Sequence, residues 1–93
     1  MSEKKESDLG TIINPSGFNP PPLNRKLLGD LYYLHIKTPE DADFHVTATV
    51  EGFFVNQSSQ GNFNPNSNHK YSVCLSLLDL LFQVSQKFKL KFQ

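Results

Sequence analysis

Histidines, a crowd of acids and one thiol are the side chains in this sequence that could do chemistry. His35 and His45 fall in two runs of β-like alternation, on the face expected to meet water, with His35 opposite Thr47 and His45 opposite Lys37. A metal ion held between them would need a third ligand, and Lys37 would repel it, so they read as surface histidines. His69 stands in an asparagine-rich stretch with no ligands clustered around it. Glu40, Asp41 and Asp43 crowd one turn. A calcium loop would need more oxygen ligands at alternating spacing and its glycine, so these acids read as turn-formers that stay solvated. Cys74 lies between Val73 and Leu75 with nothing nearby to lower a thiol pKa, and reads as a small apolar filler. As the sole cysteine it forms no internal disulfide, which fits a reducing compartment. Nucleophile elbow, phosphate-cradling glycine loop and paired carboxylates are all missing from the sequence. The expectation is a protein that is not an enzyme, with no cofactor and no metal.

Composition narrows the classes further. Nine basic residues balance nine acidic ones, so the electrostatic footprint of a nucleic-acid binder is missing. The opening MSEKKESDLG is too polar for a signal peptide, and no run approaches the ~20 apolar residues of a membrane span. A soluble cytoplasmic chain without membrane insertion is expected. Its length and polar flanks leave a core drawn from ~65 residues, near the lower limit for one stable domain.

The elements that would position these side chains centre on residues 29–56. Tyr32, Leu34 and Ile36 alternate with His35 and Lys37, and Phe44, Val46, Ala48 and Val50 alternate with His45, Thr47 and Thr49. A third run covers residues 53–56. A two-residue turn at Glu51-Gly52 would set Val50 opposite Phe53 and Ala48 opposite Val55, while the longer TPEDAD loop would set Ile36 opposite Val46 and Leu34 opposite Ala48. One face is then apolar and needs a cover. The other carries Tyr33, His35, Lys37, Thr47 and Phe54 and tolerates water, which predicts a sheet covered on one side.

The flanks follow from composition. Residues 1–16 read as a disordered tail, and residues 17–28, with three consecutive prolines, as a stiff lead-in that tucks in Phe18 and Leu23 without joining the sheet. Residues 57–70 read as a long loop pinned at Phe63-Asn64-Pro65. Residues 71–75 are either a short fourth strand or an extended approach to a helix. Ser76-Leu77-Leu78-Asp79 has the form of a capping box, and Leu77, Leu80, Leu81 and Val84 make the core stripe that should roof the sheet. Ser85 caps a second helix carrying Phe88 and Phe92. The fold class is α+β: an antiparallel three-stranded meander, with a short fourth strand as an option, and one or two C-terminal helices packed on one face, all in one domain from residue 17 to 93. The exposed aromatics Tyr33 and Phe54, with the second helical stripe Leu78 and Phe82 and its companions Phe88 and Phe92, form the candidate interaction surface. Alternatively Phe88 and Phe92 dock against Leu78 and Phe82 as core.

The runs GFNPPPLNRKLLGDLYYLHI, FHVTATVEGFFVNQSS, FNP, SLLDLLFQVS and KFKLKF, in this order from Gly17 to Phe92, resemble the segment ahead of the central Clu domain in the clustered mitochondria (Clu, clueless) family. From Asp30 on, the chain also resembles the domain of the glycogen synthase kinase interaction protein. The Clu resemblance implies one domain of a large cytosolic protein that keeps mitochondria dispersed, binds messenger RNAs for mitochondrial proteins and is linked to translation. Its implied partners are the other domains of that polypeptide and other proteins, with mRNA contacted by the full-length protein. Gln86 departs from the proline many relatives carry there, which softens the start of the last helix. Kinase binding in the second family uses a helix beyond this sequence and does not carry over. Two uses of the surface remain open: a protein-interaction scaffold, or single-stranded RNA contact in which Tyr33 and Phe54 stack bases while Lys37, Lys87, Lys89 and Lys91 touch phosphates.

Overall fold

Alternation of branched and aromatic residues with polar ones does produce strands, and they pair in chain order. The computed structural model describes residues 10–91. Strands β1 (Ile12–Pro15), β2 (Asp30–Lys37), β3 (Asp43–Thr49) and β4 (Gly52–Val55) form an antiparallel sheet of order β1-β2-β3-β4. Helix α1 (Leu23–Leu27) lies between the first two strands, and α2 (Leu77–Val84) and α3 (Gln86–Leu90) follow the sheet. The chain is α+β.

Both tight pairings differ from expectation by two residues. Leu34 pairs with Val46 and Ile36 with Phe44, while Val46 pairs with Val55 and Ala48 with Phe53. A slip of two keeps paired side chains on their faces, so Leu34, Ile36, Phe44 and Val46 stay together, while Val50 falls in the turn and, like Tyr32, is exposed. The β3–β4 turn is made by Val50 and Glu51, leaving Gly52 as the first residue of β4. A Cβ on Gly52 would lie 2.5 Å from the Cys74 carbonyl oxygen, and its φ is +144°. The glycine is therefore committed to close backbone approach, where Phe53 and Cys74 exchange N–H to O bonds of 2.7 and 2.8 Å. That single bridge is all of the optional fourth strand at residues 71–75.

The fourth strand comes from the other side. Ile12–Pro15 pairs with β2, Ile13 opposite Ile36, so part of the expected disordered tail is an edge strand. Pro15 is tolerated because it ends an outer strand. The lead-in is likewise not wholly extended: after Pro22 it makes the five-residue helix α1, and Leu23, expected to be tucked in, is exposed.

Ile36, Val46, Val55, Leu80 and Leu81 form the core between sheet and helices, with Leu77, Val84, Phe44, Phe53 and Phe88 packed around them. The stripe expected on α2 is the one buried. Ser76 caps α2 by accepting from the Asp79 amide at 3.1 Å, and Ser85 caps α3 by accepting from the Phe88 amide at 3.1 Å. Ser85 also donates to Glu40 Oε1 at 2.7 Å, and Glu40 Oε2 accepts from the Lys87 amide at 2.8 Å, which ties the β2–β3 loop to the start of α3.

The expectation of a sheet open on one side is overturned. Tyr33 is 1 % exposed and Thr47 is fully buried, because the lead-in and the 57–70 loop close over that face. Phe63 meets the Tyr33 ring edge-on at 5.2 Å and the Phe18 ring at 5.0 Å. The loop is pinned where its sole proline falls, with Pro65 buried and its carbonyl accepting from Thr47 Oγ1 at 3.1 Å.

Candidate interaction surface

The expected surface residues do not form one surface. Tyr33 lies beneath the second cover, and its hydroxyl donates to Asp30 Oδ2 at 2.7 Å. Arg25 Nε reaches the same oxygen at 2.9 Å and its Nη1 reaches Asn66 Oδ1 at 3.0 Å, joining α1, β2 and the long loop. Burial first, and then the Asp30 carboxylate, push the Tyr33 hydroxyl up to about 12. Its hydrogen bond to Asp30 holds the Arg25 guanidinium still more firmly protonated. Phe54, opposite Thr47, is half-buried on the same face. On the far side of the sheet Phe82 meets Phe88 at 5.7 Å, which realises the docked arrangement for that pair, while Leu78 stays 46 % exposed. Phe92 lies outside the described residues.

His35 and His45 are directly opposite each other, not diagonal, with rings stacked at 4.8 Å and 13°. Asp43 Oδ1 lies 2.9 Å from His35 Nε2. Burial and then the neighbouring His35 lower the His45 pKa, and its Nδ1 is buried with no hydrogen-bond partner. The pair walls an open cleft of about 660 Å³ shared with Phe18, Ser58 and Gln60. Among the described residues no group of three or more His, Cys, Asp or Glu is placed to hold a metal ion. Burial raises the Cys74 thiol, the reverse of what a nucleophile needs.

Exposed apolar side chains also gather where sequence reading did not place them. At the end of the sheet where β2 begins, the Val50 amide donates to the Gly29 carbonyl at 3.1 Å, and residues 73–75 lie against Gly52 and Phe53. Three segments thus run side by side there, presenting Leu27 and Leu28, then Val50, then Val73 and Leu75, with Leu31 at the irregular start of β2. These six side chains are 53 to 85 % exposed. Isolated exposed leucines are ordinary, but a contiguous group is the mark of a contact surface. The signal available in the sequence was Leu31, an apolar residue at an odd position that the alternation leaves unexplained, together with the Leu27-Leu28 doublet.

A four-stranded meander whose centre is covered on both faces, with exposed apolar side chains at one end, defines a small α+β domain. Over 78 residues, 84 % of this chain, it is 47 % identical to a clustered mitochondria protein homolog of Aedes aegypti. It is 45 % identical over 82 residues to the protein clueless of Drosophila willistoni, and 47 % identical over 81 residues to a clustered mitochondria protein homolog of Xenopus tropicalis. The chain belongs to the clustered mitochondria (clueless) family. It spans only 5 to 6 % of the length of these relatives. No family model and no solved structure matches it. No helix among the described residues is long and apolar enough to cross a membrane.

Proposed function

We propose that this chain is a segment of a Clu-type protein acting in the cytoplasmic distribution of mitochondria, and that the segment is a non-catalytic protein-contact module. The observation that carries this reading is the group of six exposed apolar side chains at one end of a sheet whose centre is covered on both faces. Such a surface is suited to docking. The names of the relatives supply the mitochondrial context. Messenger RNA contact belongs, on this reading, to the whole polypeptide. The base-stacking alternative for the segment needed Tyr33 as a platform, and that ring is buried.

The test is replacement in cells that lack their own family member. A Xenopus tropicalis relative whose matched segment is deleted should leave mitochondria clustered, and the same protein with this chain in that position should disperse them. Dispersed mitochondria with the segment simply deleted would overturn the proposal.

A further inference from the structure

We propose that the stacked His35 and His45 rings are a proton-operated latch: with both neutral they hold the lead-in and the 57–70 loop over the Tyr33 face, and a proton on each releases that cover. A continuous run of rings links the pair to the face it guards. His35 and His45 stack at 4.8 Å and 13°, His45 meets Phe18 at 6.1 Å, Phe18 meets Phe63 at 5.0 Å, and Phe63 meets Tyr33 edge-on at 5.2 Å. Phe18 belongs to the lead-in and Phe63 to the loop, so His45 is where the histidine pair touches the cover. The open cleft of about 660 Å³ beside the pair, walled by Ser16, Phe18 and Ser58, gives water a path to the rings.

Protonation acts unequally on the two rings. A charge on His35 has Asp43 Oδ1 beside it, 2.9 Å from Nε2. His45 has no such acceptor, because its Nδ1 is buried without a hydrogen-bond partner. A proton there leaves a buried cationic N–H unsatisfied and sets a second positive charge one ring-stack from the first. The charged and titratable groups that face His45 are His35 and, diagonally, Lys37 from β2, Asp43 two residues back on β3, and Lys70 and Tyr71 at the end of the long loop. Residues 15–18 of the lead-in carry none. Lys37 Nζ is held by Asp41 at 3.1 Å, and Lys70 lies over the Tyr71 ring at 5.8 Å. Among the described residues, Asp43 is thus the one carboxylate facing the pair, and it balances one proton but not two. The sign follows. Burial and His35 lower the His45 pKa, so the closed cover is fully favoured above the ordinary 6.5 and loses ground as pH falls below it.

Imidazole NMR of this chain reads the protonation of each histidine, and amide exchange, corrected for the intrinsic effect of pH, reads the cover. The Ser16 amide donates to the Tyr33 carbonyl and the Gln57 amide to the Asn64 and Asn66 carbonyls, so these two report on the two covering segments. Val46, fully buried in β3, reports on the sheet. His45 should titrate below 6.5. Between about pH 7.5 and about pH 5.5 the Ser16 and Gln57 amides should lose about tenfold in protection relative to Val46. In His45→Gln, which cannot take the second proton, that loss should shrink to less than about twofold. Unchanged protection across this range, or a loss that persists in the variant, would overturn the latch. So would Val46 losing protection in step with the other two, because the whole domain would then be unfolding. Should His45→Gln fail to fold, the wild-type titration decides alone: a His45 midpoint at or above 6.5 overturns the proposal, and a midpoint below it that coincides with the loss at Ser16 and Gln57 upholds it.

Discussion

Tyr33 is held at both ends, its ring by Phe63 and its hydroxyl by Asp30, so two substitutions there give separable answers. Tyr33→Phe keeps the ring packing and should cost about 1.5–3 kcal/mol, the worth of a buried hydrogen bond to a charged acceptor, read from urea midpoints. Tyr33→Ser should cost about 3–5 kcal/mol and threaten folding outright, because it opens a cavity under the loop. An open-sheet reading would have made it harmless. Glu40 gives a pH-dependent prediction. Partial desolvation opposes its ionisation, but the Lys87 amide and Ser85 hydroxyl outweigh that and draw its pKa from 4.5 to about 2. A lowered folded-state pKa means the stabilisation is complete above about 4.5, the unfolded value, and is lost as pH falls through about 2. Glu40→Gln should therefore cost about 1 kcal/mol at neutral pH, with the gap from wild type closing in acid. His45 has the same sign: with its folded value lowered by burial and by His35, its contribution is full above the ordinary 6.5 and declines as pH falls below it. His45→Gln should flatten the stability profile between neutral and mildly acidic pH.

Elements were legible to different degrees, and particular residues say why. The two later helices could be read because Ser76 and Ser85 are caps whose signals are local, and the Leu77, Leu80, Leu81, Val84 stripe has one consistent face. Ser85 is fully buried and bonds both Phe88 N–H and Glu40, so Ser85→Ala should cost about 1–2 kcal/mol in denaturant unfolding. Strand faces were legible and register was not. Gly52 looked like a turn residue, yet its conformation serves the Cys74 carbonyl, a contact 22 positions away that no local pattern announces. Gly52→Ala should destabilise by at least ~2 kcal/mol, since it combines a positive φ with a backbone clash. The second cover was half visible. Phe63 and Pro65 were readable as an anchor, but Thr47 looked like a surface residue because its partners, the Pro65 carbonyl and the Asn56 side-chain amide, come from other segments. Edge strand β1 was hidden by its own Asn14-Pro15, which reads as a turn. The exposed apolar end was hinted at by Leu31 and the Leu27-Leu28 doublet, but its extent depends on three separate segments that meet in space.

At the scale of the whole molecule, stability and contact should be separable. Leu27→Ser, Val50→Ser and Leu75→Ser alter side chains that are mostly in water, so each should shift the unfolding free energy by no more than about 0.5 kcal/mol while affecting association. Substitutions beneath either cover should behave in the opposite way. The outer strand has a practical corollary for anyone dividing a long relative into pieces. A fragment beginning at Gly17, where the prolines invite a cut, would lack Ile12–Pro15 and bare the amides and carbonyls of β2 alongside Ile36. Raw rims of that kind recruit other chains, so the shortened fragment should scatter light and precipitate during purification where the version retaining Thr11 stays clear.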